Sequence, residues 1–196
     1  GIGGGALSSN VSGSNNVAVG GSALGNSVGG FNLAIGGSAL GANTTGENNV
    51  AIGQSAFQAN TIGGKNTAIG WNSGVNNLTG STNTIIGAQA LSNNVNGSGN
   101  LALGYYAGYY STGSNGFYVG NDNYGSLSND QNKSLMYGEF NNTTANQTLQ
   151  INATTNVKNN LVVTGSIDIT GTYYVNGVAF SGGTSGTSGT SGTSGS

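Results

Sequence analysis

Two columns of glycine, held in step over most of the chain, constrain what it can fold into. Gly3, Gly20, Gly36, Gly53, Gly70, Gly87, Gly104 and Gly120 recur at spacings of 16 or 17 residues. A second glycine precedes each from Gly20 onward by seven residues: Gly13, Gly29, Gly46, Gly63, Gly80, Gly97 and Gly113. Such phase is the signature of a repeat architecture, in which each unit completes its core only against its neighbours.

Inside a unit the apolar residues alternate. Val17 and Val19, Leu33 and Ile35, Val50 and Ile52, and Leu101 and Leu103 flank Ala18, Ala34, Ala51 and Ala102. Period two marks a strand with two unlike faces. Thr67-Ala68-Ile69 and Thr84-Ile85-Ile86 vary the pattern. The branched residues are expected to fill the interior, and the alanines to admit a second backbone at close approach. After each framing glycine comes a second short segment, such as Ser38-Ala39-Leu40, expected as a second strand. A stretch rich in Asn, Ser, Thr and Gly follows, with the chemistry of tight turns. This predicts an all-β chain over 1–120, a parallel β-roll or β-solenoid of 16–17-residue repeats, with rungs about 4.8 Å apart. Asn16, Asn32, Asn49, Asn66, Asn83 and Asn100 lie four residues before a framing glycine. They either favour the turn or stack as an amide ladder, and the two readings are compatible.

The pattern Asn-x-Ala-Ile-Gly-x-x-Ala-Leu resembles the head repeats of trimeric autotransporter adhesins. It is more similar still to the longer repeats of phage tail-fibre proteins upstream of an intramolecular chaperone domain. Residues 132–180 carry a second resemblance, to the shaft that follows such repeats. It rests on Lys133-Ser134-Leu135-Met136-Tyr137-Gly138-Glu139-Phe140, Leu149-Gln150-Ile151-Asn152, Leu161 to Ile167 and Tyr173 to Val178. The resemblance implies a parallel homotrimer with its alanine faces near the axis. It carries no catalytic residue over, because nothing here matches the self-cleaving chaperone domain.

Residues 121–140 break the repeat and read as an irregular transition. Residues 141–180 read as a narrow trimeric β-shaft with strands at Thr148–Asn152, Asn160–Thr164, Ser166–Thr170 and Thr172–Val175. Asn176-Gly177 signals a two-residue turn and a hairpin ending at Phe180. From 181 to 196 the sequence runs Gly-Thr-Ser, with glycine at the collagen period. Such a stretch is a flexible linker alone, or a collagen-like stalk where three chains meet. In the stalk, Thr184, Thr187, Thr190 and Thr193 would face outward and could carry O-linked sugars. The chain starts within a repeat, at Gly1-Ile2-Gly3, so more chain is expected before it.

Composition narrows the function. Of 196 residues, three are Lys or Arg and five are Asp or Glu, so no basic face exists for nucleic acid or an anionic membrane. No apolar run is long enough for a spanning helix. Histidine and cysteine are absent, which removes the commonest general base and thiol chemistry. Glu47, Asp122, Asp130, Glu139 and Asp168 form no catalytic or metal motif, so no enzyme, cofactor or metal is expected. Tyr105, Tyr106, Tyr109 and Tyr110 either stack on sugars or pack over the last rungs; Trp71 poses the same choice. The expected function is a structural fibre of a virion or cell surface, a phage tail fibre that presents a receptor-binding part. The alternative is a bacterial adhesin or extracellular filament that itself binds a host-surface glycan. An ice-binding solenoid is disfavoured, because Thr44, Thr61, Thr67 and Thr79 keep no common phase.

Overall fold

A computed structural model describes residues 1–123, 125–128, 131, 135–140, 143, 147–151, 172–175 and 178–181. The chain divides into two compact units, 1–154 and 155–196. The first holds one nine-stranded sheet in sequence order. Its strands are β1 (Val17–Val19), β2 (Leu33–Ile35), β3 (Val50–Ile52), β4 (Thr67–Ile69), β5 (Thr84–Ile86), β6 (Leu101–Leu103), β7 (Gly116–Val119), β8 (Met136–Glu139) and β9 (Thr148–Ile151). Strands β1 to β7 are parallel and in register, each one turn of a β-solenoid from the last. β8 and β9 then pair antiparallel. β8 therefore lies within 121–140, which the sequence reads as irregular, and β9 closes the same sheet. In the second unit β10 (Thr172–Val175) pairs antiparallel with β11 (Val178–Ser181), the expected hairpin. The strands expected at 160–164 and 166–170 and the glycine-repeat tail lie outside the described residues.

The two faces of the strands are the reverse of the sequence expectation. Ala18, Ala34, Ala51, Ala68 and Ala102 are buried in the solenoid's own core, whereas Val17, Ile35 and Ile86 are exposed. Each rung is thin, because its strand is three residues long. The second segment is a turn, not a strand, and it supplies the large core residue. Leu24, Leu40, Phe57 and Leu91 are fully buried there, all at φ near +50°. A left-handed non-glycine residue costs about 1–2 kcal/mol, which burial of a leucine or phenylalanine side chain, about 1.5–3 kcal/mol, offsets. One large side chain and one alanine methyl from the turn, with one methyl from the strand, thus fill a rung.

Two rungs depart from this rule, and each departure is compensated. Gly74 and Gly108 occupy the leucine position. The next strand then carries Ile85 or Tyr118 where the others carry alanine, and both are buried. A Cβ on Gly74 would lie 2.9 Å from the Ile85 side chain, and one on Gly108 would lie 2.8 Å from the Tyr118 ring. The bulk has moved from turn to strand. At the end of the solenoid Tyr118 stacks on Tyr137 of β8 at 5.4 Å between ring centres and donates to the Ser111 hydroxyl at 2.8 Å.

Both glycine columns have a steric cause. Gly53 sits at φ 135°, and a Cβ there would come within 2.6 Å of the Gly70 carbonyl carbon of the next rung. Gly63 needs no positive φ, but its Cβ would strike the Gly80 carbonyl oxygen. The first column is a conformational and a close-approach requirement; the second is close approach alone.

The expected amide ladder forms. The Asn49 backbone N–H donates to Asn32 Oδ1 at 3.0 Å, and its Nδ2 donates to the Gly63 carbonyl at 2.8 Å. The same pair of bonds recurs at Asn32, Asn66, Asn83 and Asn100. A second ladder, which the sequence reading missed, runs through Asn43, Asn60 and Asn77, with Nδ2-to-Oδ1 bonds of 2.9 and 3.0 Å. It explains the two repeat lengths. Rungs of 17 residues turn through Asn-x-x-Gly, and the 16-residue rungs through Ser-x-Gly, at Ser27-Val28-Gly29 and Ser111-Thr112-Gly113. The ladder stops at Asn94, before the second short turn. There Nδ2 reaches forward to the Gly113 carbonyl at 2.8 Å, and Oδ1 of Asn77 and of Asn94 are left without a partner.

Candidate functional site

The outward strand face is a coherent, mostly apolar surface of the first unit. In-register pairing lines up Val17, Leu33, Val50, Thr67, Thr84, Leu101 and Phe117 in one column. Val19, Ile35, Ile52, Ile69, Ile86, Leu103 and Val119 form the other. None of these side chains is buried, and Val17, Ile35 and Ile86 are exposed by 52%, 38% and 42%. Six rung steps of about 4.8 Å make the face about 29 Å long. Parallel sheets are normally covered on both faces. At its far end Phe117 meets Phe140 at 6.0 Å between ring centres, beside a 300 Å³ apolar pocket bounded by Met136 and Leu149. The sequence signal was present, since alanine alone between β-branched neighbours fits a narrow lumen. It was masked by the prior that larger residues go inside.

The aromatic candidates sit at the corner where strand gives way to turn. Each residue just after a framing glycine falls in one column: glycine on the first three rungs (Gly4, Gly21 and Gly37), then Gln54, Trp71, Ala88, Tyr105 and Asn121 on successive rungs. Backbone bonds fix this register: Asn72 N–H to Gln54 O at 3.0 Å, Gln89 N–H to Trp71 O at 2.8 Å, and Tyr106 N–H to Ala88 O at 3.0 Å. Trp71 is 48% exposed and Tyr105 46%. Tyr106, Tyr109 and Tyr110 are half-buried. The four tyrosines form a continuous run of ring contacts, 4.4 Å from Tyr105 to Tyr106 and 4.8 Å at each later step. Partial desolvation and the neighbouring Tyr106 push the Tyr105 hydroxyl above its ordinary pKa.

The remaining candidates do not converge. Glu47 and Lys65 share a shallow polar pocket with Thr45, Asn48, Ile62 and Ser81. Asp122 and Glu139 are exposed, and Glu139 accepts from the Tyr137 hydroxyl at 2.7 Å. Burial first, then that bond, hold the Tyr137 hydroxyl well above its ordinary pKa. Among the described residues no three of His, Cys, Asp and Glu come together as metal ligands, and no helix is long and apolar enough to cross a membrane. Asp130 and Asp168 lie outside the described residues, as do Thr184, Thr187, Thr190 and Thr193, the proposed sugar carriers. Comparison with protein-family models, with curated proteins and with solved structures finds no match.

Proposed function

We propose that the chain is a structural segment of a homotrimeric extracellular fibre, most simply a phage tail fibre that gives reach and presents a receptor-binding part. The observation that carries this reading is the exposed apolar face of the parallel sheet. Two columns of Val, Ile, Leu and Thr, about 29 Å long, stay half-buried or exposed among the described residues. Three copies closed around an axis would bury them without leaving an open, self-propagating surface. The resemblance to trimeric fibre repeats and the glycine period of the tail support the same number. So does the composition, since 4% charged residues leave little to keep a single solenoid dispersed. In this arrangement the branched columns, and not the alanines, point to the axis. The shaft and the collagen-like stalk extend the fibre, on the virion or cell surface.

Light scattering on the native particle tests the reading. We expect three times the chain mass, and a fall to a single chain mass when Ile52→Asp and Ile86→Asp are combined. A wild-type particle of one chain mass sinks the fibre reading, and one of two chain masses sinks the three-fold axis. The alternative, a bacterial cell-surface adhesin, draws on the exposed Trp71 and Tyr105. It requires that the purified segment itself bind to cells.

A further inference from the structure

We propose that the column Gln54, Trp71, Ala88, Tyr105 and Asn121 is a binding shelf for a neutral, extended, β-linked polysaccharide lying along the solenoid axis. The inference takes from the fibre reading only that the strand face, rather than this corner, is covered. Its order is an amide, an aromatic, a small residue, an aromatic and an amide. The two aromatics are two rungs apart, about 9.6 Å, close to the disaccharide repeat of a flat β-linked chain. In such a chain alternate sugars turn the same face to one side. Trp71 and Tyr105 can therefore each take the apolar C–H face of a pyranose. Ala88 leaves room for the sugar between them.

The surroundings favour this ligand over others. Nearly half of Trp71 and of Tyr105 is open to solvent, so both are accessible to a ligand. Tyr106 meets the Tyr105 ring edge-on at 4.4 Å, and Tyr109 and Tyr110 continue the run behind Tyr106 in the chain of contacts, so the Tyr105 ring is braced within the solenoid. Gln54 is exposed and offers both a donor and an acceptor to hydroxyls. Asn121 is exposed too, and its Oδ1 accepts the Tyr105 N–H at 3.3 Å, which ties the side chain to the shelf. No Lys or Arg stands in this column, and Asp122 follows it, so an anionic chain is disfavoured. An α-linked chain, which coils, would lift one of its two stacked sugars off the aromatics.

Trp71 is the one tryptophan in the chain, so intrinsic tryptophan fluorescence reads this site alone. The native particle is titrated with cellotetraose and chitotetraose, with cellobiose and with α-linked maltotetraose. The shelf predicts a saturable change with at least one β-linked tetrasaccharide, at least about tenfold weaker binding of the disaccharide and of maltotetraose, and about a tenfold loss in Tyr105→Ala. No saturable change with either β-linked tetrasaccharide in the millimolar range overturns the proposal. Equal binding of maltotetraose, or full affinity in Tyr105→Ala, overturns it as well. Light scattering on Tyr105→Ala separates the two readings. A fall in particle mass would make the corner an interface between copies and end the shelf. A wild-type particle of one chain mass that binds the β-linked tetrasaccharide would end the trimer and keep the shelf.

Discussion

At the scale of single residues, the fold depends on amides that work in pairs of directions. Asn66 accepts from Asn83 N–H at 2.9 Å and donates to the Gly80 carbonyl at 2.9 Å, while its own N–H is held by Asn49 at 3.0 Å. Asn66→Ala strands the buried Asn83 N–H and takes from the Gly80 carbonyl one of two bonds, the other coming from Asn77 Nδ2 at 3.1 Å; an unsatisfied buried donor costs about 1–3 kcal/mol. Urea melts should therefore show a loss of at least about 1 kcal/mol, against under about 0.5 kcal/mol for the exposed Asn76→Ala. The first ladder was legible because its asparagines keep one offset from a glycine. The second keeps one offset as well, seven residues after a framing glycine, but it is interrupted, since serine replaces asparagine at Ser27 and Ser111, where the turn is one residue shorter. That pairing gives a second prediction. Ser27→Asn alone has too little turn to accommodate the longer side chain and should lower the melting midpoint. Ser27→Asn with one residue inserted after Val28 restores the 17-residue turn and should recover it.

At the scale of the rung, strand position and turn position share one core. The sequence made strands β1 to β6 legible, because alternation around alanine is a local signal, but it read the segment after each framing glycine as a second strand where the structure has a turn. The inward face was not legible, because it depends on the width of the lumen, which no three-residue window reports. Ile85 read as a variant strand, yet it answers Gly74 eleven residues before it. Ile85→Ala should cost about 2–5 kcal/mol by leaving a cavity. Gly74→Leu alone should also destabilise, by overpacking against Phe57 and Ile85 and by placing a side chain at φ 56°. Phe57→Leu, Gly74→Leu and Ile85→Ala together recreate the common rung, and denaturant melts should return most of the two losses. Ala51→Leu, expected from the sequence to block assembly at an axis, now acts inside the roll. It should unfold the rung even where no assembly forms, which circular dichroism of dilute protein would show. The Tyr118–Tyr137 closure carries a pH dependence. Tyr137 has a raised folded pKa, so its stabilisation is full below the ordinary tyrosine range, near 10. It is lost as pH climbs above that range, and Tyr137→Phe should remove this alkaline loss.

At the scale of the whole molecule, most of the sheet was legible as a repeat. The strand expected at Thr148–Asn152 is present as β9, but its place in the same sheet was not legible, because β8 and β9 carry no glycine period and attach by antiparallel pairing to a strand that is itself the last repeat. The aromatic column was visible as residues but not as a column, since Trp71 and Tyr105 lie 34 positions apart and meet only in register. For the proposed trimer, the outward columns predict that particle mass falls with each aspartate placed on them, while the fold of the single solenoid survives. Each rung bonds only to the one before and the one after, and seven parallel strands share a single register. Length is therefore a heritable quantity that changes in whole steps. Unequal exchange between two copies of a 17-residue unit in the coding sequence keeps the reading frame. It lengthens or shortens the solenoid by about 4.8 Å per unit and leaves every remaining bond a chemically equivalent partner. Crossovers that separate Gly74 from Ile85, or Gly108 from Tyr118, are the exceptions, and lineages that vary in length should keep each pair together.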